Sequence, residues 1–435
     1  VSKNKIKDVF GVKKEKVLSY LSRENVDTKL EEELKGDKHI VIYGASKQGK
    51  SALVQKHISS TNAITIGCST NMTTKDIYSS LLRQLDIKIS SSQEQVTGSS
   101  GETLLKTTFK AMLPFFGEGS VEASGKITGT NSNKEQSEYI EYNLEISQDV
   151  SELLRKIEFN KFVIIENFHY LNEEVQKLLA FDLRLFQENN VRFIILGIWR
   201  ERNRLLQFNR DLIDRIIEIP VEPWLPEDFE AVIQTGSQLL NINISETIKS
   251  EIKEIAFGNI GIVQELCKEL SLFAGITETE DYLTEIDNQE YLEKAIEKKV
   301  EEYASSHLRS LESISDSGQY INGLYLPYYL VRVIVESDIN GLRDGISKTE
   351  LHERIKNIHH RSLDVRTSDM TNLLHGLADK QSKKMITPPL FDYDRVNRRL
   401  RIIDSTLMFF LNFKNKNEIL EEIINPIDND QQVLS

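Results

Sequence analysis

The feature that most constrains this chain is the string Gly44-Ala-Ser-Lys-Gln-Gly-Lys50-Ser51 and what flanks it. Before it, His39-Ile-Val-Ile-Tyr43 is a short apolar run that reads as a buried strand. After it, Ala52-Leu-Val-Gln-Lys-His-Ile58 reads as a helix. A Gly-x-x-x-x-Gly-Lys-Ser string at a strand-to-helix turn is the Walker A pattern. Glycines let backbone N–H groups close around phosphate oxygens, and the helix N-terminus adds its positive dipole. On this reading Gly44, Ala45, Ser46, Lys47, Gln48 and Gly49 wrap a phosphate chain, and Lys50 sits between the β- and γ-phosphates. The Ser51 hydroxyl would bind Mg²⁺. The competing reading is a glycine turn that merely precedes a helix.

A second phosphate-site element should be a strand ending in an acid. Phe162-Val-Ile-Ile-Glu166 supplies one, and Glu166 would hold the Mg²⁺ water shell. Asn133-Lys-Glu-Gln136 fails the guanine-reading pattern at its last position, which points to ATP. Further strand candidates are Ala63 to Cys68, Val191 to Leu196 and Ile216 to Ile219, separated by helical patterns such as Ile77, Tyr78, Leu81, Leu82 and Leu85. Strands alternating with helices imply an α/β fold with a parallel sheet covered on both faces.

Outside that core the patterning changes. Residues 1–37 are charged and read as helical. Residues 89–147 are rich in serine and glycine and read as an insertion, with a hairpin expected between Leu104 and Ile127 and Phe115 and Phe116 in its core. From Pro226 the pattern is helical only, an all-α segment to about residue 310. Residues 311–413 show helices at Leu326 to Ile334, from the capping box Ser347-Lys-Thr-Glu350, and from Asp369 to Leu377. Strand-like segments at Met385-Ile386 and Leu400 to Ile403 complete the order of a winged helix. Residues 414–435 read as a tail. The chain thus divides into 1–37, a core at 38–222, a helical lid at 223–310, a winged helix at 311–413 and the tail.

The formal net charge of -13 argues against a chain coated with nucleic-acid-binding surface. The segment Lys380 to Arg401 is basic, including Lys383, Lys384, Arg398 and Arg399, and would suit a DNA-contacting wing. The helix near Asp369 lacks the donors a reading helix presents, so DNA binding is not favoured. No apolar run approaches the roughly 18 residues of a membrane span, and no signal peptide is evident. Two cysteines, Cys68 and Cys267, fit a reduced, cytoplasmic protein. His352, His359 and His360 lack partners at metal-ligand spacing.

At this point the chain resembles AAA+ ATPases of the origin-recognition and STAND type. Tyr20-Leu-Ser-Arg23-Glu24 is similar to the family's adenine-side box, which implies a nucleotide contact for Arg23. Ile164-Ile-Glu-Asn-Phe-His-Tyr170-Leu171 is similar to the Walker B string of bacterial STAND-like ATPases. Asp214-Arg215-Ile-Ile-Glu-Ile219 resembles the segment after the arginine-bearing helix, and Gly258-Asn259-Ile-Gly261 the start of the lid helix. The resemblance implies a P-loop ATPase core, an all-α lid and a C-terminal winged helix, with ATP and Mg²⁺ as ligands. It also implies homo-oligomers in which Arg210 or Arg215 reaches a neighbour's γ-phosphate. Arg200, Arg202 and Arg204 are further candidates; ion pairs with Glu201, Asp211 and Asp214 are the competing role. No effector domain is evident, so output would pass to a protein partner or effector subunit. Chains of this kind resemble ATPase subunits of multi-gene systems, including defence against phage. The alternatives are a DNA-binding ATPase of origin-recognition or transposition-helper type, and a scaffold that binds ATP without hydrolysing it.

Three positions depart from the family pattern. Asn167 stands where a second acid is usual. Gly197-Ile-Trp-Arg200 replaces a polar sensor after strand four, and Gly261 stands where a sensor arginine would. Catalytic roles fall to Glu166, Asn167, Arg210 and Arg215. Because Asn167 cannot take a proton as a carboxylate does, slow turnover is expected, with His169 the first substitute base to examine.

Overall fold

The computed structural model describes residues 3–13, 15–97, 103–113, 138–142, 146–199, 201–316 and 323–427, with backbone alone at 88–97, 103–113 and 138–142. Its centre is a five-stranded parallel sheet of β1 (His39–Tyr43), β2 (Ala63–Gly67), β3 (Phe162–Glu166), β4 (Arg192–Gly197) and β5 (Ile216–Pro220). The order across it is β2-β3-β4-β1-β5. β1 lies between β4, with Ile40 opposite Ile194, and β5, with Ile40 opposite Ile217.

The apolar runs follow from this placement. A central parallel strand is covered on both faces, so it has no polar side. Alternate residues then feed two separate cores. Val41, Val163, Ile165, Phe193 and Ile195 pack under helices Thr74–Gln84, Ser147–Lys156 and Glu173–Glu188. Ile40, Ile42, Ile164, Ile194 and Leu196 face Val26 and Leu30 of the N-terminal segment and Leu53 and Val54 of helix Lys50–His57. Parallel strands put the loops after β1, β3, β4 and β5 at one end of the sheet, where open α/β sheets bind their ligands.

The helical region beyond Pro226 comprises Pro226–Leu240, Glu246–Ile255, Ile260–Phe273 and Gln289–Ser315, plus a two-stranded parallel ladder between Ile242–Ile244 and Thr284–Ile286. Residue 310 lies inside the Gln289–Ser315 helix, and that helix buries Leu292 and Leu311 in one core shared by the lid and the C-terminal region. The C-terminal region carries helices Leu326–Glu336, Lys348–Ile358, Thr367–His375 and Leu377–Lys383 against a three-stranded antiparallel sheet. Ser347 caps the second of these by accepting from the Glu350 N–H at 3.2 Å.

Several local expectations change. Among the described part of residues 1–37 the helical stretches are short, Ile6–Val9 and, back to back, Glu24–Thr28 and Lys29–Glu33. Ile6, Val9 and Phe10 supply too few apolar groups for a free helix, and they are instead buried in the lid's core. Met385-Ile386 is not a strand; Phe391–Asp394 pairs with Arg399–Ile402. In the insertion the hairpin joins Lys88–Thr97 to Thr103–Leu113, with Glu138–Tyr142 as a third strand. Phe115, Phe116 and the Asn133 to Gln136 string lie outside the described residues. Among the described residues no helix is long and apolar enough to cross a membrane.

Candidate functional site

The site is built at the C-terminal end of β1. The loop runs from Gly44 to Gly49, whose φ of 85° caps helix Lys50–His57. Lys50 Nζ folds onto the loop and donates to the carbonyl oxygens of Gly44 (3.0 Å) and Ala45 (2.6 Å). Burial lowers its pKa to about 8, against the opposing pull of Glu222. Glu222, just beyond β5, accepts from the Ala45 N–H at 2.6 Å and from Gln48 Nε2 at 2.9 Å.

Two further regions hold the same loop. From the lid, Asn259 Nδ2 donates to Ser46 O at 3.0 Å, and Gly258 O accepts from Gln48 Nε2 at 3.2 Å. Gly261 passes so close that an added Cβ would lie 2.5 Å from Lys47 Cβ and 2.8 Å from Lys47 O. A side chain at position 261 is therefore excluded by contact with Lys47 of the loop. From the C-terminal region, Ile403 O accepts from the Ser46 N–H and Ser405 Oγ donates to Ser46 O, both at 3.2 Å. Lys47 Nζ lies 4.7 Å from the centre of the Tyr303 ring. With the Ala45 and Ser46 amides engaged, a phosphate cradle is left the amides from Lys47 onward.

Beside the loop is a cavity of about 260 Å³. Its walls come from residues 11–23, from Lys47 to Leu53, from Glu166, Asn167 and His169, and from Trp224 and Gly261. The Arg23 guanidinium stacks on Trp224 at 3.6 Å, is buried, and leaves Nη1 without a hydrogen-bond partner. Below it Asp27 accepts from Arg23 N (2.8 Å), Tyr20 Oη (3.0 Å) and Lys56 Nζ (3.0 Å), and pairs with His57 Nε2 at 2.9 Å. Burial opposes its charge, yet these bonds hold its pKa at about 2.

The β3 end contributes three side chains to one wall. Glu166 is half-buried and Asn167 exposed, at a left-handed φ of 58° that asparagine tolerates well. Sequence reasoning offered His169 as a substitute base, and the structure corrects that. The Ile198 N–H donates to its Nδ1 at 3.3 Å, so the neutral ring carries its proton on Nε2. Desolvation, then Lys50, then Arg204, push its pKa well below the usual histidine value. Its free nitrogen is a donor.

ATP and Mg²⁺ fit what is present. Three buried, unpartnered donors, Arg23 Nη1, His169 Nε2 and Trp224 Nε1, belong to residues of the cavity wall. Ser51 and Glu166 supply the oxygen donors a hard cation prefers on the same cavity.

The arginines are not gathered here. Arg215 precedes β5, at the opposite end of the sheet, where it donates to Gln187 Oε1 (2.9 Å) and pairs with Glu188 (3.2 Å). Arg210 is exposed on a short turn, Arg210–Leu212. Arg204 packs over Trp199 and lies 3.7 Å from Asp392 of the C-terminal region. Arg202 bonds the Tyr43 hydroxyl. Arg200 lies outside the described residues. In the basic segment, Lys384 pairs with Asp316 at 2.6 Å and Arg395 with Glu173 at 3.3 Å.

Sequence reasoning missed Glu222, Trp224, Asn259 as a loop contact, and Ser405. Of these only Asn259 lies in a string the sequence singles out, and each reaches its partner across well over a hundred residues.

No protein-family model matches this chain, and no curated protein matches it. Solved structures do share its outline. The Walker-type ATPase PABY2304 of Pyrococcus abyssi is 15% identical over 91% of this chain and 96% of its own, with a TM-score of 0.48. The ORC1 protein of Aeropyrum pernix in complex with DNA is 13% identical over 95% of each chain, with a TM-score of 0.43. The RuvB Holliday junction branch migration motor of Thermotoga maritima is 13% identical over 93% of this chain and 96% of its own, at 0.38. Likenesses at these values fix neither family nor function.

Proposed function

We propose that this chain is an ATP-binding switch of slow intrinsic turnover, whose nucleotide state sets how the sheet domain, the lid and the C-terminal region are held together. The observation that carries this is the grip on one loop. Residues 45–48 are bonded at once to Glu222 of the sheet domain, to Gly258 and Asn259 of the lid, and to Ile403 and Ser405 of the C-terminal region. Anything that moves this loop acts on all three regions, as a hinge-type change requires.

Each residue has a role in that reading. Lys50 would exchange its two carbonyl partners for phosphate oxygens. Arg23 would direct Nη1 to the base or ribose. Ser51 and Glu166 would hold Mg²⁺, which when bound screens the phosphate charge. Asn167 orients water without accepting its proton, which accounts for slow turnover. The C-terminal region is read as a winged helix serving as an internal hinge, because its Ile403 and Ser405 are spent on the loop. Output passes to a protein partner or effector subunit, in a setting such as phage defence.

The test is ligand-linked stability. At a hundredfold excess over its Kd, Mg·ATP should stabilise wild type by about 2.7 kcal/mol. Lys50→Ala should weaken affinity by about 100-fold and lose that shift in thermal melting. Equal shifts in both proteins would overturn the assignment.

Assembly is part of the same proposal. Arg210 and Arg215 lie away from their own loop, as residues acting on a neighbouring subunit must in a head-to-tail contact. ATP should promote oligomers in size-exclusion chromatography with light scattering. A chain that stays monomeric at micromolar concentration, with ATP and partner present, rules this out.

A further inference from the structure

We infer that His169 is the γ-phosphate-sensing donor of this site: its Nε2–H bonds a terminal phosphate oxygen, a duty for which Gly197 and Ile198 at the end of β4 carry no polar side chain. The inference rests on the nucleotide reading above and adds a residue and a discrimination to it.

The argument starts at β4. Gly197 ends the strand, and Trp199 is fully buried directly beneath it. A Cβ on Gly197 would lie 1.4 Å from the Trp199 ring. No side chain is accommodated there, and Ile198 is apolar. What the strand end does offer is a backbone N–H, that of Ile198, and it is spent on His169 Nδ1.

That bond decides the tautomer. A ring nitrogen that accepts an N–H is unprotonated, so the neutral ring must carry hydrogen on Nε2. His39 shows the complete form of this arrangement elsewhere in the sheet domain. Its Nδ1 accepts from the Phe193 N–H at 3.0 Å and its Nε2 donates to Leu183 O at 2.7 Å. His169 has the first half only. Its Nε2 is shielded from solvent and has no partner among the described residues. Buried polar atoms in folded proteins nearly always find a partner, so an orphan on a cavity wall calls for a ligand acceptor.

The ring stands between the nucleotide cavity and a small pocket towards the C-terminal region. Two cations act on it, Lys50 of the loop's helix and Arg204. The Tyr170 ring meets it edge-on at 4.2 Å between centroids. A donor fixed by β4's backbone, on the loop that also carries Glu166, would read the phosphate that distinguishes ATP from ADP.

The experiment is calorimetric titration of the full chain with Mg·ADP and with Mg·AMP-PNP, for wild type, His169→Leu and His169→Gln. Glutamine can keep both bonds, since its oxygen can accept from Ile198 and its amide can donate. His169→Leu should weaken AMP-PNP by about 10- to 100-fold, the range for a hydrogen bond to a charged acceptor, with ADP unchanged within about twofold. His169→Gln should recover most of the loss. Equal weakening of both ligands, or of neither, overturns the inference and leaves the nucleotide reading standing. A wild type that binds neither ligand overturns both. Should the leucine variant fail to fold, nitrogen-15 histidine spectra of wild type decide the matter. His169 should show a proton-bearing Nε2 whose resonance moves with AMP-PNP and not with ADP; a proton on Nδ1, or equal responses, sinks the inference.

Discussion

The ends of β3 and β4 are neighbours in the sheet, yet they are built on opposite principles. β3 ends in a run of usable side chains, Glu166, Asn167 and His169, all on the cavity wall. β4 ends in a glycine, an isoleucine and a tryptophan that fills the space beneath. One strand end offers side chains and the other offers backbone. The difference teaches that a strand end without polar side chains at its last residues can still orient a polar side chain of its neighbour through a backbone N–H. Here the Ile198 amide does so through His169 Nδ1.

The strongest way to break this comparison is to give β4 a side chain. Gly197→Ala should destabilise the fold by about 3 kcal/mol or more, because overpacking forces a buried tryptophan out of place. Chemical denaturation would read it. A variant as stable as wild type would mean that the space under β4 is not filled as described, and the reason for its silence would go.

A smaller effect sharpens the β3 side. Asn167→Glu places a carboxylate next to Glu166 and should raise steady-state phosphate release by about tenfold or more, within the range general bases contribute. The gain comes with a strain of about 1 kcal/mol at the left-handed φ of 58°. Asn167→Ala should alter turnover little. If wild type already hydrolyses at the ~1–100 s⁻¹ of efficient phosphoryl-transfer enzymes, the base is another group and the side-chain inventory of β3 needs revision.

The smallest effect is a control away from both strand ends. Glu265 of the lid accepts from the Val12 N–H (2.7 Å), Lys268 (2.9 Å) and Lys299 (2.8 Å). Burial opposes its charge, but the three donors hold its pKa at about 2 against an ordinary 4.5. A depressed carboxylate contributes stability that is whole above its unfolded pKa and is lost as pH falls towards its folded one. Wild type should therefore lose about 1–3 kcal/mol between roughly pH 5 and pH 2, a step absent in Glu265→Gln. That variant should leave the ratio of AMP-PNP to ADP affinity at the wild-type value; a changed ratio would tie the discrimination to the lid instead.

Much of the site was legible in the sequence because its parts are contiguous. Gly44 to Ser51 and the run from Phe162 to His169 are each one strand and one turn, and spacing along a chain fixes their mutual placement. The buried strands were legible for the same reason, since apolar residues on both faces leave a continuous run. The N-terminal segment was not. It reads as charged and helical, whereas Phe10 is buried in the helical region beside Gly236, a contact that no local pattern announces.

What the sequence alone determined is therefore the glycine loop between β1 and its helix, the acid that ends β3 and the parallel sheet that sets them at one end. What only the tertiary structure decided is who holds the loop and which way His169 faces. Glu222, Asn259 and Ser405 come from three distant stretches of chain, and the proton on Nε2 follows from a single amide on the next strand. Both are long-range hydrogen bonds, and a hydrogen bond between residues far apart in sequence leaves no periodicity behind, because its geometry exists only once the strands and helices between them have packed.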